Sequence, residues 1–284
     1  MAEFFAQHFA FMAPAYSAVY GVVKGIALRM LWPLEMFLAF LALETLFPKT
    51  RNSFASTGRS ALYVATSLLI NSMLFSLLFE YFNKDELSPL VVLDLRPLTE
   101  SPNLALRVIG RLIAAFAASM IGNFFYYWVH RSQHAFAPLW RLHSVHHSIT
   151  EMSALSSYHH ITEDMIQYFC VGVPLALLLR VDDGGAVPWI VLTVVATHAF
   201  FIHSSVNLNI GPLRYVIGDN HFHRIHHSRE ERHFDRNFGT TTPIWDMLFG
   251  TAYFPKKGEW PAVGLSDVSE PKRLRDFFLL PFQK

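Results

Sequence analysis

Histidine is the residue type in this 284-residue chain whose number and spacing could do chemistry. The chain has 15 histidines, and 14 of them lie between His130 and His233. Eight fall into three short clusters in which histidines three or four residues apart would share one face of a helix. Eight imidazoles that face a common cavity could bind two metal ions and leave room for oxygen. The clusters are His130 and His134, then His143, His146 and His147, then His223, His226 and His227.

Clustered histidines can also occur without a dedicated metal site, but those cases fit this pattern less well. A single histidine on an apolar face is usually a core residue, and a histidine-rich tract can bind metal adventitiously or sense pH at a surface. Neither case predicts the same His-x-x-His-His pattern twice, at His143–His147 and again at His223–His227. We therefore interpret the three clusters as one metal site.

The residues around the clusters narrow the choice of metal. Neutral imidazole suits zinc, copper, iron and nickel. A zinc hydrolase would carry a glutamate inside the motif, whereas Arg131, Ser132 and Gln133 separate the first two clustered histidines. Soluble di-iron bundles use Glu-x-x-His pairs, and haem needs only one or two axial histidines. The sequence favours two non-haem irons. The alternatives are a zinc-dependent membrane hydrolase and a membrane metal- or haem-binding electron-transfer or transport protein.

The elements that must position these histidines are apolar helices. Hydrophobic residues make up 52% of the chain and charged residues only 16%, against about 25% charged in soluble proteins. Three stretches approach the roughly 20 residues that cross a bilayer core, and two shorter ones predict a helical hairpin with a turn at Arg180–Ala186. We predict an all-α, integral-membrane helical bundle with a cytosolic helical cap that carries the histidines. The five stretches are Ile26–Phe47, Ala61–Phe82, Val108–Val129, Met165–Leu179 and Val187–Ile202.

Composition limits the other classes of site and partner. Cys170 is the only cysteine, so the chain can form neither an internal disulfide nor a cysteine-based zinc site. The net charge of +1 creates no field that would attract nucleic acid. No shift in composition marks a boundary, so we expect a single membrane-embedded domain over 1–284. Its membrane helices should lie at about 26–129 and its histidine catalytic core at about 122–253.

Basic residues near the helix ends predict the orientation in a membrane. The loop 48–60 carries Lys49, Arg51 and Arg59 and no acidic residue, which predicts a cytoplasmic loop. The loop 83–106 has mixed charge and the hairpin tip is acidic, with Asp182 and Asp183, so both should lie on the opposite side. We therefore predict a multi-pass protein with both histidine regions on the cytoplasmic side, and a 165–202 hairpin that either spans or re-enters.

The ordered motifs between Gly122 and Tyr253 resemble the fatty acid hydroxylase/sterol desaturase superfamily of membrane-bound, histidine-box di-iron oxygenases. The resemblance covers about half of the chain, and the ordered set is far more specific than any single box. The matching segments are Tyr127–His134 for the first box, Leu139–Ser148 for the second, and Phe201–Asn207, Gly211–Arg214 and His221–Ser228 for the third, followed by Asn237–Gly239 and Trp245–Thr251.

This resemblance implies a role for individual residues. The eight clustered histidines correspond to catalytic iron ligands of the family, and His203 fits a further family histidine. His160 resembles the histidine of a His-Pro-x-Glu element, although Ile161 stands where the proline would be. Ligating histidines usually donate their second N–H to a carboxylate or a carbonyl, and Glu163, Asp164, Asp219, Asp235 and Asn207 are candidate partners. The implied metal ligands are His130, His134, His143, His146, His147, His160, His203, His223, His226 and His227. His159, His198, His221 and His233 have no match.

The resemblance also implies the reaction and its partners. Two iron ions, O2 as co-substrate and external electrons would hydroxylate or desaturate a C–H bond of a lipid-soluble substrate. That substrate could be a sterol, a fatty acyl chain, a carotenoid or a polar lipid. The electrons would come from a separate ferredoxin- or cytochrome-type protein, because the chain leaves no room for a fused haem or flavin domain.

Overall fold

Helices dominate the part of the chain that the computed structural model describes, residues 34–81, 89–182 and 186–283. Short 3-10 turns at Ala154–Ser157, Gly211–Tyr215, Glu231–His233 and Leu280–Phe282 connect them. The mostly helical character predicted from the sequence is confirmed. The helices are α1 (34–46), α2 (Phe54–Tyr81), α3 (Arg96–Thr99), α4 (Leu104–Ala135), α5 (Ala137–His147), α6 (Ile161–Gln167), α7 (Val173–Leu178), α8 (Ala186–His203), α9 (Asn220–His226), α10 (Ile244–Phe249) and α11 (Leu274–Leu279).

The predicted apolar stretches are helical over almost all of their described residues, but their ends differ from the prediction, since Phe47 lies in a bend and Leu179 in a strand. Helix α2 begins at Phe54, seven residues before Ala61, because the Ser53 hydroxyl caps it by accepting from the Ser56 N–H at 3.2 Å. A hydropathy pattern does not detect such a polar first turn. Residues 26–33 and Phe82 lie outside the described residues.

Two helical stretches among the described residues are long and apolar enough to cross a membrane, Leu104–Ala135 and Ile161–Leu178. The first is α4, which at about 1.5 Å per residue is longer than a bilayer core is thick. Its N-terminal half carries exposed leucines, isoleucines and a phenylalanine, including Leu112, Ile113 and Phe116. An apolar surface of this extent is expected against lipid rather than water. Both observations indicate a membrane protein.

Pro174 explains the irregular middle of the second apolar stretch. Proline has no N–H and its ring clashes with the carbonyl four residues earlier. The chain between α6 and α7 accordingly forms a π turn, Tyr168–Gly172, in which the Val173 N–H donates to the Tyr168 carbonyl five residues back. The stretch remains helical from Ile161 to Leu178 despite this wider turn.

Two short strands pair where the prediction had a loop, a turn and the last residue of an apolar stretch. Strand β1 (Val91–Asp94) and strand β2 (Leu179–Asp182) are parallel, with Val91 opposite Leu179 and Asp94 opposite Asp182. The expected turn at Arg180–Ala186 therefore starts as a strand, and residues 183–185 lie outside the described residues. The pairing brings together the two loops that were expected to share one side of the membrane.

The C-terminal segment packs against the second histidine cluster from behind. The Phe277 ring on α11 is buried and stacks on Tyr63 of α2, with ring centroids 4.4 Å apart. Val145 and Ile149, next to the cluster, belong to the same hydrophobic core. Residues beyond the predicted catalytic core of 122–253 thus help to hold the histidines in position.

Candidate metal centre

The three histidine clusters lie at helix ends that meet at one place. His130 and His134 lie in the last turns of α4, and Phe136 turns the chain into α5, whose C-terminal half carries the second cluster. The third cluster lies on α9 and the residue after it. His203 is the last residue of α8. Nine predicted ligands therefore converge from four helices.

The histidines divide into two adjacent groups, each compact enough to hold one metal ion. In each group, one ring nitrogen per histidine lies within 4.8 Å of those of all the others. The groups touch where the His147 and His227 rings stack with centroids 4.4 Å apart. Group one contains His130, His134, His143, His147 and His226, and group two contains His146, His203, His223 and His227.

Backbone carbonyls fix which ring nitrogen carries the hydrogen. Nδ1 of His130 lies 2.7 Å from the Phe238 carbonyl oxygen, and Nδ1 of His146 lies 2.7 Å from that of Tyr158. Nδ1 of His203 is bonded in the same way to the Ala199 carbonyl, also at 2.7 Å. A carbonyl oxygen can only accept, so Nδ1 must donate and Nε2 of each neutral ring presents a lone pair.

The Nε2 lone pairs of His146 and His203 face each other at a distance that favours a shared cation. Nε2 of His203 lies 3.2 Å from Nε2 of His146 and 2.9 Å from Nε2 of His223. The His146–His203 pair has no hydrogen to share, because both Nδ1 atoms carry theirs. Metal–nitrogen bonds of about 2.0–2.1 Å place the nitrogens of neighbouring ligands about 3 Å apart, so this spacing fits ligands of a common ion.

Burial disfavours a proton as that cation. Desolvation, followed by the neighbouring histidines His159, His203 and His143, lowers the pKa of His146 well below its ordinary value. Desolvation and the surrounding histidines lower the pKa of His143 and His226 in the same way. The rings are therefore neutral near pH 7, and a neutral imidazole is the form that binds a metal. The donor set fits two ions of a metal that accepts imidazole.

Glu163 is a buried partner of the site. Its Oε2 accepts from Nδ1 of His143 at 2.9 Å and from Nε2 of Gln133 at 2.6 Å. This arrangement orients His143, as expected for a carboxylate behind a metal-ligating histidine. His143, Glu163 and His159 form a third compact group. The His159 ring stacks on His146 with centroids 4.0 Å apart.

The structure places His160 apart from the two histidine groups, and His159 rather than His160 faces them. His160 caps α6, where its Nδ1 lies 2.8 Å from Oγ1 of Thr162 and its Nε2 lies 3.3 Å from the Phe278 carbonyl. It belongs to neither group of ligands. Successive side chains of an extended segment point to opposite faces, so only one of two consecutive histidines can turn inward. The sequence analysis did not predict that His159 faces the site. The only signal for it in the sequence was its position four residues before Glu163.

The other candidate partners lie away from the ligand nitrogens or at the rim of the site. Asp164 accepts from the Asn71 amide. Asp219 caps α9 through the Phe222 N–H at 2.7 Å. Asp235 is exposed, with an oxygen 3.8 Å from Nδ1 of His134. Asn207 is exposed and donates its backbone N–H to the Phe47 carbonyl.

Two cavities reach different histidines. A cavity of about 580 Å³, the membrane-side cavity, lies between α4, the Ile161–Leu178 stretch and α8, and His159 and His203 form part of its wall. A cavity of about 290 Å³, the polar-side cavity, is bordered by His134, His147 and His226 and by the outer residues Asp235 and Asp267. An apolar molecule and a polar one could therefore approach the site separately.

A comparison with known families matches residues 115–251 to the fatty acid hydroxylase model. That interval contains all nine convergent predicted ligands and His159. The match confirms the resemblance to the fatty acid hydroxylase superfamily that the motifs predicted. No solved structure matches the chain significantly.

Several curated relatives share this fatty acid hydroxylase segment. The human alkylglycerol monooxygenase is 29% identical over 151 residues, which cover 53% of this chain and 33% of the relative. The ornithine lipid hydroxylase OlsE of Rhizobium tropici is also 29% identical over 151 residues, with 52% and 44% coverage. The fatty acid hydroxylase vlmA of a Lecanicillium species is 33% identical over 151 residues, with 46% and 40% coverage. The chain thus spans less than half the length of these relatives.

The last motifs of the fatty acid hydroxylase segment hold the loop that binds His130. Phe238 supplies the carbonyl for His130, and the Asp246 carboxylate accepts the backbone N–H of Phe238 and of Gly239, both at 2.7 Å. A Cβ at Gly239 would lie 2.4 Å from the Thr242 carbonyl oxygen, so no larger residue fits there. Asn237 adopts φ +60° and joins this loop to α9 by donating to the Phe222 carbonyl. Asp246 was not singled out from the sequence.

Proposed function

We propose that this chain is a membrane-bound, non-haem di-iron oxygenase that hydroxylates a C–H bond of a lipid. The observation that carries the proposal is the pair of adjacent histidine groups, whose lone-pair nitrogens face one another at metal-ligand spacing. The match to the fatty acid hydroxylase superfamily supports the choice of iron. The proposal treats residues 1–284 as one membrane-embedded domain.

Each histidine group would hold one iron ion. Group one offers five ring nitrogens and group two offers four, so neither ion depends on ligands from outside the chain. Reduced by an external donor, the two irons supply the activation of O2. The histidine carbonyl partners keep the ligand nitrogens unprotonated and oriented, and burial of the rings excludes bulk water from the centre.

The membrane-side cavity would hold the lipid. Its wall is mainly apolar, with Phe75, Val191 and Ile202, and it ends at His159 and His203. A chain of carbon atoms lying in this cavity would reach group two directly from the membrane. The names of the relatives, alkylglycerol monooxygenase, ornithine lipid hydroxylase and fatty acid hydroxylase, favour hydroxylation over desaturation and a polar lipid or fatty acyl chain over a sterol or carotenoid.

We infer that the protein crosses the membrane several times, with the histidines on the cytoplasmic side. The basic loop supports this orientation, since Lys49 donates its backbone N–H to the Ser205 carbonyl, two residues after His203. Electrons would then arrive from a soluble or membrane-bound cytoplasmic protein of the ferredoxin or cytochrome type.

Comparative lipid mass spectrometry with metal analysis tests this proposal. Cells with and without the gene are compared, and a variant with both His146→Ala and His226→Ala serves as a matched control for expression. We expect a lipid that gains one oxygen atom only with the intact gene, and about two irons per purified chain. Stoichiometric zinc without iron in catalytically active material would contradict the proposal. A lipid that loses two hydrogens instead would identify a desaturase.

A further inference from the structure

Three polar side chains stand together in the wall of the membrane-side cavity. They are Asn123 of α4, His198 of α8 and Thr240, and we call them the polar wall. Asn123 is only 5% exposed, and its amide nitrogen donates to Oγ1 of Thr240 at 3.1 Å. Nε2 of His198 lies 2.7 Å from the carbonyl oxygen of Gly218. None of these side chains belongs to the two groups of ligand histidines.

Close contact between two loops holds the polar wall in place. The backbone N–H of Gly218 donates to the Thr241 carbonyl at 3.0 Å. A Cβ at Gly218 would lie only 2.4 Å from the Thr240 carbonyl oxygen and 3.7 Å from Cε1 of His198. The loop at Gly218 therefore touches both the loop at Thr240 and the His198 ring. Because Asn123 is bonded to Thr240, the three side chains of the polar wall are fixed relative to one another.

Asn123 and His198 each keep a hydrogen-bonding atom that no described residue uses. Oδ1 of Asn123 is buried without a partner among the described residues. The Gly218 carbonyl can only accept, so Nε2 of His198 carries the hydrogen and Nδ1 of the neutral ring presents a lone pair. A hydrocarbon chain placed against such acceptors would leave them unsatisfied, which costs free energy. The polar wall therefore fits a molecule that donates a hydrogen bond to it.

We propose that the polar wall binds a hydroxyl group of the lipid substrate. A hydroxyl donates one hydrogen, to Nδ1 of His198 or Oδ1 of Asn123, and its oxygen can accept from the Thr240 hydroxyl. The inference rests on the proposed function and narrows its substrate class to lipids that carry a free hydroxyl, since a hydrocarbon, an ether or an ester has no hydrogen to donate. His198 precedes His203 by five residues, a rise of about 8 Å along α8. A lipid held by its hydroxyl would thus present a carbon several bonds away to group two.

Competition binding tests this inference without turnover. The iron-loaded full chain in lipid nanodiscs is kept without reductant, so that no product forms, and is given radiolabelled hexadecanol. Unlabelled hexadecanol and hexadecyl methyl ether then compete for the site. The two probes have the same hydrocarbon chain, but the ether oxygen can only accept a hydrogen bond. We expect hexadecanol to compete about tenfold better than the ether, the effect of one or two hydrogen bonds.

Variants of the polar wall show whether it causes this preference. Asn123→Leu and His198→Phe each replace an acceptor by an apolar side chain of similar size, and each should lower the preference for the alcohol at least about threefold. Thr197→Val is the matched control. Thr197 is next to His198 on α8, but it borders neither cavity and its hydroxyl donates to the Thr193 carbonyl at 2.7 Å. This variant should keep the full preference.

Iron content and the midpoint of thermal unfolding are measured for each variant, and only variants that match the wild type are compared. Equal competition by hexadecanol and the ether in the wild type would overturn the inference, whatever the variants do. An unchanged preference in Asn123→Leu or His198→Phe would overturn the role of that residue in binding the hydroxyl. Absence of hydroxylated lipid from cells with the intact gene would contradict the proposed function alone, because the binding preference is measured without turnover.

Discussion

The ligand imidazoles whose Nδ1 is bound to a backbone carbonyl use their two nitrogens for separate tasks, one for position and one for the metal. His146 illustrates this division, because the Tyr158 carbonyl holds Nδ1 while Nε2 faces His203. His226 is held in the same way by the Arg236 carbonyl at 2.8 Å, and its Nε2 is buried without a partner among the described residues. The two residues belong to different groups, so their loss should affect different ions.

We predict that His146→Ala and His226→Ala each lower the iron content by about one ion per chain and abolish the hydroxylated product. Each change removes one nitrogen from a buried ligand set and leaves a space that no neighbouring side chain fills. Iron is measured by elemental analysis and product by mass spectrometry at matched protein level. His160→Ala is the control and should retain full iron content, because His160 caps α6 instead of facing the site. Normal product from both ligand variants would mean that the histidine groups are not the catalytic centre.

Glu163 acts on the metal through His143. Replacing Glu163 by glutamine exchanges the carboxyl group that accepts the His143 Nδ1–H for an amide, whose N–H needs its own acceptor. We predict a loss of about 10–100-fold in iron affinity, the usual effect of removing a partner behind a ligand. Affinity is measured by competition with a chromophoric chelator. Asp164→Asn, at the adjacent position, should leave the affinity unchanged, since Asp164 faces Asn71 rather than a histidine. Equal losses in both variants would count against this role.

At the scale of elements, close backbone contact between α3 and α4 sets how the long apolar helix begins. A Cβ on Gly110 of α4 would lie 2.2 Å from the Leu98 carbonyl oxygen, an approach that only glycine permits. We predict that Gly110→Ala destabilises the protein by about 1–3 kcal/mol, typical of overpacking, visible as a lower midpoint of thermal unfolding in detergent. Gly122→Ala on the same helix is the control, since its nearest neighbour would be Leu175 Cδ2 at an ordinary 3.8 Å. If Gly110→Ala and Gly122→Ala unfolded at similar temperatures, α3 would be able to move away from α4 at little cost in stability.

Helices could be predicted from the sequence because their signal is local. Apolar stretches of 15 to 22 residues and histidines three or four apart are properties of neighbouring residues. The described parts of these stretches are helical except at end residues such as Phe47 and Leu179. The β1–β2 pair was not predictable in this way, since it joins segments about ninety residues apart whose meeting depends on how the helices pack. The sequence also did not show that His159 rather than His160 faces the site. The direction of a side chain in an extended segment depends on backbone angles, which the spacing of residues does not reveal.

At the scale of the whole molecule, the histidines and the strands occupy opposite ends of α4. The helix starts at Leu104, just after β1 and α3, and reaches His130 after 26 residues, a rise of about 39 Å. This length exceeds the roughly 30 Å of a bilayer core. The basic loop with Lys49 lies at the histidine end, by its bond to Ser205, and strand β2 joins β1 at the other end. The length of α4 therefore allows its two ends to lie on opposite sides of a membrane, and the charge asymmetry predicts which end is cytoplasmic.

We predict that residues at the strand end and the histidine end are accessible from opposite sides of the membrane. Single cysteines replace Leu90, which is 82% exposed beside β1, and Ser266, which is exposed at the rim of the polar-side cavity. The native thiol is removed by Cys170→Ala. A membrane-impermeant maleimide should label the Leu90→Cys variant in intact cells and the Ser266→Cys variant only in inverted vesicles, because the basic loop predicts that the histidine end stays in the cytoplasm. Permeabilised cells should label both, which controls for buried thiols. Labelling of both variants from one side of a sealed membrane would mean that α4 lies along the membrane surface or re-enters it, and the multi-pass arrangement would have to be abandoned.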